Sequence, residues 1–164
     1  MISNKNISII LGIDPGIADT GYGVIKKDGN KLICLDYGTI KTGAREEMPD
    51  RLSQINQALE ILIKKYDPQI IAVEQLFFCK NVKTALMVGQ ARGVILLTAK
   101  QSKKVVVEFT PLQVKQAVSA YGKASKMQVQ KMVKLILELK EIPKPDDAAD
   151  ALAIAICASN SRIT

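Results

Sequence analysis

Ile7-Ser8-Ile9-Ile10-Leu11-Gly12-Ile13-Asp14-Pro15-Gly16 is an apolar run that stops at an acid and a Pro-Gly turn. It reads as a buried strand with a carboxylate at its C-terminal end. Gly21-Tyr22-Gly23-Val24-Ile25 and Leu32 to Ile40 follow, separated by Asp28-Gly29-Asn30. An Asp-Gly turn between apolar runs signals a hairpin, so the chain opens as a three-stranded antiparallel meander.

The period changes after Pro49. Leu52, Ile55, Leu59, Leu62 and Tyr66 keep to one helical face, with Arg51, Gln54, Gln57 and Lys64 off it, until Asp67-Pro68 stops the helix. Ile70-Ile71-Ala72-Val73 is a continuous apolar run, as expected of a strand covered on both faces. A long helix over Asn81 to Lys100 and a strand over Val105 to Phe109 come next. Thr110-Pro111-Leu112-Gln113 supplies a cap, a first-turn proline and a capping-box glutamine. Further helices are expected from Ser125 to Leu139 and from Asp146 onward. The order β-β-β-α-β-α-β-α-α-α predicts an α/β fold. Its mixed five-stranded sheet has three antiparallel and two parallel strands, flanked by helices, with the Ile7 and Ile70 strands as parallel neighbours. A length of 164 residues fits one domain, its core at about residues 7–158.

Composition removes whole classes of chemistry. There is no histidine, which excludes histidine bases, triads and metal sites. Cys34, Cys79 and Cys157 are too widely separated for a metal or redox motif and read as core thiols in a reducing cytoplasm. The N-terminus lacks the pattern of a signal peptide, and the sequence has no run of about 18 apolar residues to span a membrane. The formal net charge of +7 favours a polyanionic partner, nucleic acid before an anionic membrane surface.

Carboxylates carry the remaining chemistry. Asp14 and Glu74 each end a buried strand, at the edge of an α/β sheet where ligands gather. A lone acid there is commonly a turn residue; two with matched placement point to a site. Asp146-Asp147-Ala148-Ala149-Asp150 opens an Ala/Ile-rich helix. Both Asp147/Asp150 and Asp146/Asp150 share a helical face, and acids in a first turn are also favoured simply by the exposed N–H groups. That field is expected to keep them ionised. Converging carboxylates without His or Cys form a ligand set for Mg²⁺, with Mn²⁺ as a substitute. Two such ions about 3.5–4 Å apart can activate water and stabilise the leaving oxygen in phosphodiester hydrolysis.

Three segments in order resemble the RuvC family of Holliday-junction resolvases. The first is Ile13-Asp14-Pro15-Gly16 with Thr20-Gly21-Tyr22-Gly23-Val24-Ile25. The second is Val73-Glu74-Gln75-Leu76-Phe77, then Lys80-Asn81 and Gly89-Gln90-Ala91-Arg92-Gly93-Val94. The third is Asp147-Ala148-Ala149-Asp150-Ala151-Leu152-Ala153-Ile154-Ala155. The resemblance implies an RNase H-like homodimer that nicks a four-way DNA junction symmetrically, in recombination and repair. It implies Asp14, Glu74, Asp147 and Asp150 as catalytic metal ligands, with Asp146 a cap or an outer partner. It also implies Phe77 as a base-stacking residue, Lys115 and Lys126 at the DNA and active site, and a branch-migration motor as a possible partner. The chain departs from the family in a few extra N-terminal residues and in ending soon after Cys157, where some relatives carry a basic tail.

Two further segments bear on partners. From Lys100 to Lys134 there are eight lysines against one acid, Glu108, a concentration suited to phosphates. The Asn81–Lys100 helix holds Gly89 and Gly93, each costing about 0.8–1.0 kcal/mol against alanine, so close approach of the sheet or of a second subunit should offset them. The resemblance favours a two-fold interface there. Competing readings are an RNase H-like RNA-processing nuclease, an inactive junction-binding module and, more distantly, an actin-like nucleotide-binding domain, which needs a second domain.

Overall fold

The computed structural model describes residues 7–76 and 81–161. Strands β1 (Ile7–Asp14), β2 (Asp19–Asp28) and β3 (Lys31–Lys41) form the meander, followed by α1 (Met48–Tyr66), β4 (Ile70–Glu74), α2 (Val82–Gln101) and β5 (Val105–Phe109). Helices α3 (Pro111–Ser119), α4 (Lys126–Ile136) and α5 (Asp146–Asn160) complete the order. The sheet runs β3-β2-β1-β4-β5. β1 pairs antiparallel with β2 and parallel with β4, and β4 pairs parallel with β5, which is the expected mixed sheet.

Side-chain alternation divides the core into two. Leu11, Ile13, Ile71 and Val73 face α1 and α2, where Ile55, Leu59, Ala91 and Ile95 complete one cluster. Ile10 and Ala72 face α5, which packs with α3 and α4 around Val114, Val118, Val129 and Val133. α5 is therefore covered on both sides, and residues Ala151 through Ala158 are all buried. Its many alanines follow from its place: a helix between a sheet and two other helices has room for little more.

Glycines in the sheet let α5 come that close. A Cβ on Gly12 would lie 2.1 Å from the Ala151 carbonyl oxygen, and one on Gly21 would lie 2.0 Å from that of Asp147. Helix backbone thus rests directly on strand backbone at both positions.

Local signals hold with a few corrections. The Thr110/Gln113 capping box is present, and Ser125 forms a second one with Gln128. α4 stops at Ile136 rather than at Leu139, because the chain turns left-handed at Glu138, φ 52°. Arg51, expected off the apolar face, is buried: its Nε donates to Thr42 Oγ1 at 2.8 Å, tying α1 to the segment after β3. By length and mean hydropathy α2 could cross a membrane, although Lys83, Gln90 and Arg92 interrupt its apolar residues, so the expectation of no continuous apolar run stands. Its inner face is engaged, with Ala91, Ile95, Thr98 and Ala99 buried and Arg92 paired with Glu108 of β5.

Candidate active site

β1 and β4 run parallel with Ile13 opposite Val73, so Asp14 and Glu74 leave the sheet side by side. Alternation puts both on the α5 face, in phase with Ile10 and Ala72. α5 begins over this edge. Carboxylate oxygens of Asp14, Asp147 and Asp150 all lie within 4.8 Å of one another. Glu74 stands just outside that trio, in a cavity of about 210 Å³ with Lys115, Lys126 and Asp150. Asp147/Asp150 is thus the pair that meets Asp14. Asp146 is outside the trio but shares Lys126 with Asp150, its Oδ2 3.5 Å from Lys126 Nζ; it is an outer partner and not the cap, since Pro145 takes that position.

The acids crowd one another. Burial, then the charges of Glu74, Asp150 and Asp147, push the Asp14 carboxyl up to about 8, with Lys126 opposing. Burial followed by Asp150 pushes Glu74 up to about 7, held back by Lys115 and Lys126. Asp150 is also raised, by burial first, although Lys126 Nζ lies 3.0 Å from its Oδ2. Burial therefore outweighs the helix field that was expected to keep Asp150 readily ionised. Lys126 is itself raised: burial lowers it, but its contacts with Asp150 and Asp146 together outweigh that effect. All-oxygen donors whose mutual repulsion a cation would relieve fit a hard divalent metal.

Lys115 and Lys126 both line the acidic cavity. The lysine-rich segment does not form one surface, however. Lys100, Lys103 and Lys104 sit at the start of β5, the far end of that strand from the acids, and Lys104 pairs with Asp67. Phe77, the expected stacking residue, lies outside the described residues, as does Phe78. Sequence reading passed over Gly12 and Gly21, whose only signal was small residues recurring in otherwise bulky strands.

The family model for the crossover junction endodeoxyribonuclease RuvC matches residues 10–158. This chain belongs to the RuvC family. The RuvC of Halothermothrix orenii is 59% identical over 153 residues, 93% of either chain. That of Ruminiclostridium cellulolyticum is 58% identical over 153 residues, 93% of this chain and 92% of the other. Thermus thermophilus RuvC, solved in complex with a Holliday junction substrate, superposes with a TM-score of 0.88 at 37% identity, covering 93% of both chains. Asp14, Glu74 and Asp147-Ala148-Ala149-Asp150 all fall within the matched span.

Proposed function

We propose that this RuvC-family endonuclease resolves Holliday junctions by paired symmetric nicks, with Asp14, Glu74, Asp147 and Asp150 as its catalytic metal ligands. The observation that carries this reading is the convergence of Asp14, Asp147 and Asp150 from two elements onto one point. Two Mg²⁺ ions, replaceable by Mn²⁺, would supply the activation of water and the charge that stabilises the leaving oxygen. The four carboxylates would hold them. Lys126, bonded to Asp150, orients that carboxylate and draws the phosphate backbone toward it. Lys115 takes a phosphate oxygen at the cavity wall, and Phe77 stacks on a base near the crossover.

A homodimer through α2 accounts for the symmetry of the cuts. Val82, Leu86, Gly93 and Leu97 form an exposed stripe along α2, and Val82 is 72%, Leu86 65% and Leu97 58% exposed. A Cβ on Gly93 would meet nothing within 4 Å, so the sheet is not what its glycine accommodates. A second α2 lying across the stripe is. Leu86→Glu is expected to leave a folded monomer, seen by sedimentation, that no longer couples its two nicks.

The shared sheet supports one nuclease domain spanning the chain. Cys34 and Cys157 are free thiols, both pushed up to about 11 by burial, which suits the reducing cytoplasm. A branch-migration motor that presents the junction is the natural further partner.

Lys115→Ala is expected to weaken junction binding and nicking together, and to lower the slope of log affinity against log salt by about one. The deciding experiment is cleavage of a labelled four-way junction with and without Mg²⁺, beside linear duplex and RNA–DNA hybrid. Paired nicks in the junction alone support the proposal. Binding without cleavage would indicate an inactive module, and cleavage of the hybrid an RNA-processing nuclease.

A further inference from the structure

A second cavity, about 400 Å³, adjoins the acidic one and is lined by Thr110, Pro111, Leu112, Lys115 and Gly122. Pro111 and Lys115 line both, so the two cavities are neighbours with Lys115 between them. The volume falls within the range of about 300–1,000 Å³ typical of small-ligand clefts. Its apolar side is uncovered: Leu112, in the first turn of α3, is 54% exposed, and Tyr121, adjoining Gly122, is 58% exposed. Gly122 keeps the space open, since a Cβ there would lie 2.6 Å from Leu112 Cδ1.

An occupant of this cavity must present an apolar face to Pro111 and Leu112 and an anion to Lys115, and must be continuous with whatever lies over the acids. A nucleotide of the strand being cut meets all three requirements. We propose that the cavity receives the base and sugar of one nucleotide flanking the scissile phosphate, with Lys115 holding the phosphate between the two cavities. The proposal rests on the resolvase reading and adds to it a subsite that grips the cut strand.

The test uses junctions carrying a single abasic residue at each position within about three nucleotides of the cut. Binding in Ca²⁺ is compared for the wild type, Leu112→Ala and Gly122→Ala. In the wild type, one abasic position is expected to lose on the order of tenfold in affinity, the scale of a lost base contact. Leu112→Ala should show a similar loss on the intact junction and no further loss at that position. Gly122→Ala, which narrows the cavity, should behave in the same way. Additive losses at every position would overturn the proposal, because base and pocket would then be independent. If the wild type fails to nick the unmodified junction in Mg²⁺, the resolvase reading falls and takes the subsite with it, a result distinct from additivity.

Discussion

Asp14→Asn is expected to lose junction nicking by more than about 100-fold while making the metal-free protein more stable at alkaline pH. The first half follows from the role proposed for Asp14. Even outer partners of metal ligands cost about 10–100-fold when removed, so a ligand at the centre of the trio should cost more. The second half follows from linkage. The Asp14 carboxyl stands at about 8 in the folded chain, against an ordinary value of 3.8, so the native state binds a proton that the unfolded state releases. Its contribution to stability is then present at acid pH and is lost as pH rises through that interval toward 8. Glu74, raised to about 7, acts in the same direction.

The wild type without metal should therefore melt at lower temperature at pH 9 than at pH 6, by at least about 5 °C for a chain of this size. Mg²⁺ should restore much of that loss, because it binds only the deprotonated, folded acids, and its stabilising effect should grow with pH. The amide introduced by Asp14→Asn is neutral at every pH, so this substitution should flatten the profile and abolish most of the Mg²⁺ effect. Thermal denaturation across pH, with EDTA or Mg²⁺, checks the stability arm; single-turnover nicking checks the other. Full nicking by Asp14→Asn would remove this acid from the site.

Gly21→Ala is expected to be nearly as damaging, although it changes no charged group. The added methyl would sit 2.0 Å from the Asp147 carbonyl oxygen and 2.5 Å from its carbonyl carbon. These are backbone atoms, which cannot rotate away, so the start of α5 must lift from β2. Overpacking of this kind costs about 1–3 kcal/mol. The larger consequence is at the site, since Asp147 moves relative to Asp14, and a misplacement of about 1 Å can cost on the order of 100-fold in rate. Junction binding, proposed to run through Lys115, should persist. Gly23→Ala makes the instructive comparison: its nearest contacts, at 2.7–2.8 Å, are the buried Leu152 side chain and the Leu152 backbone nitrogen, and it pairs with Gly12 rather than with Asp14, further from the acids. Gly23→Ala should therefore lose stability more than activity. Equal nicking by Gly21→Ala and the wild type would show that the close approach of α5 does not position Asp147.

Much of this was legible along the chain. Apolar runs, the Asp28-Gly29 turn and the Thr110 capping box are local signals, set by side-chain period, turn geometry and orphan N–H groups within a few residues. They determined the element order, the mixed sheet and the placing of Asp14 and Glu74 at strand ends. Spacing could not choose between Asp146 and Asp147, since both share a helical face with Asp150. That choice depends on how α5 is rotated on the sheet, which is set by Gly12 and Gly21 beneath Ala151 and Asp147. Nor could spacing separate lysines beside the acids from those at the far end of β5, because a strand carries adjacent sequence to opposite ends of the molecule. The raised Asp14 carboxyl likewise arises first from burial and then from three acids on other elements, and these come together only when the chain is folded. Sequence by itself determined which residues can do this chemistry; tertiary structure decided which of them meet, because the contacts that bring them together are long-range and backbone-to-backbone.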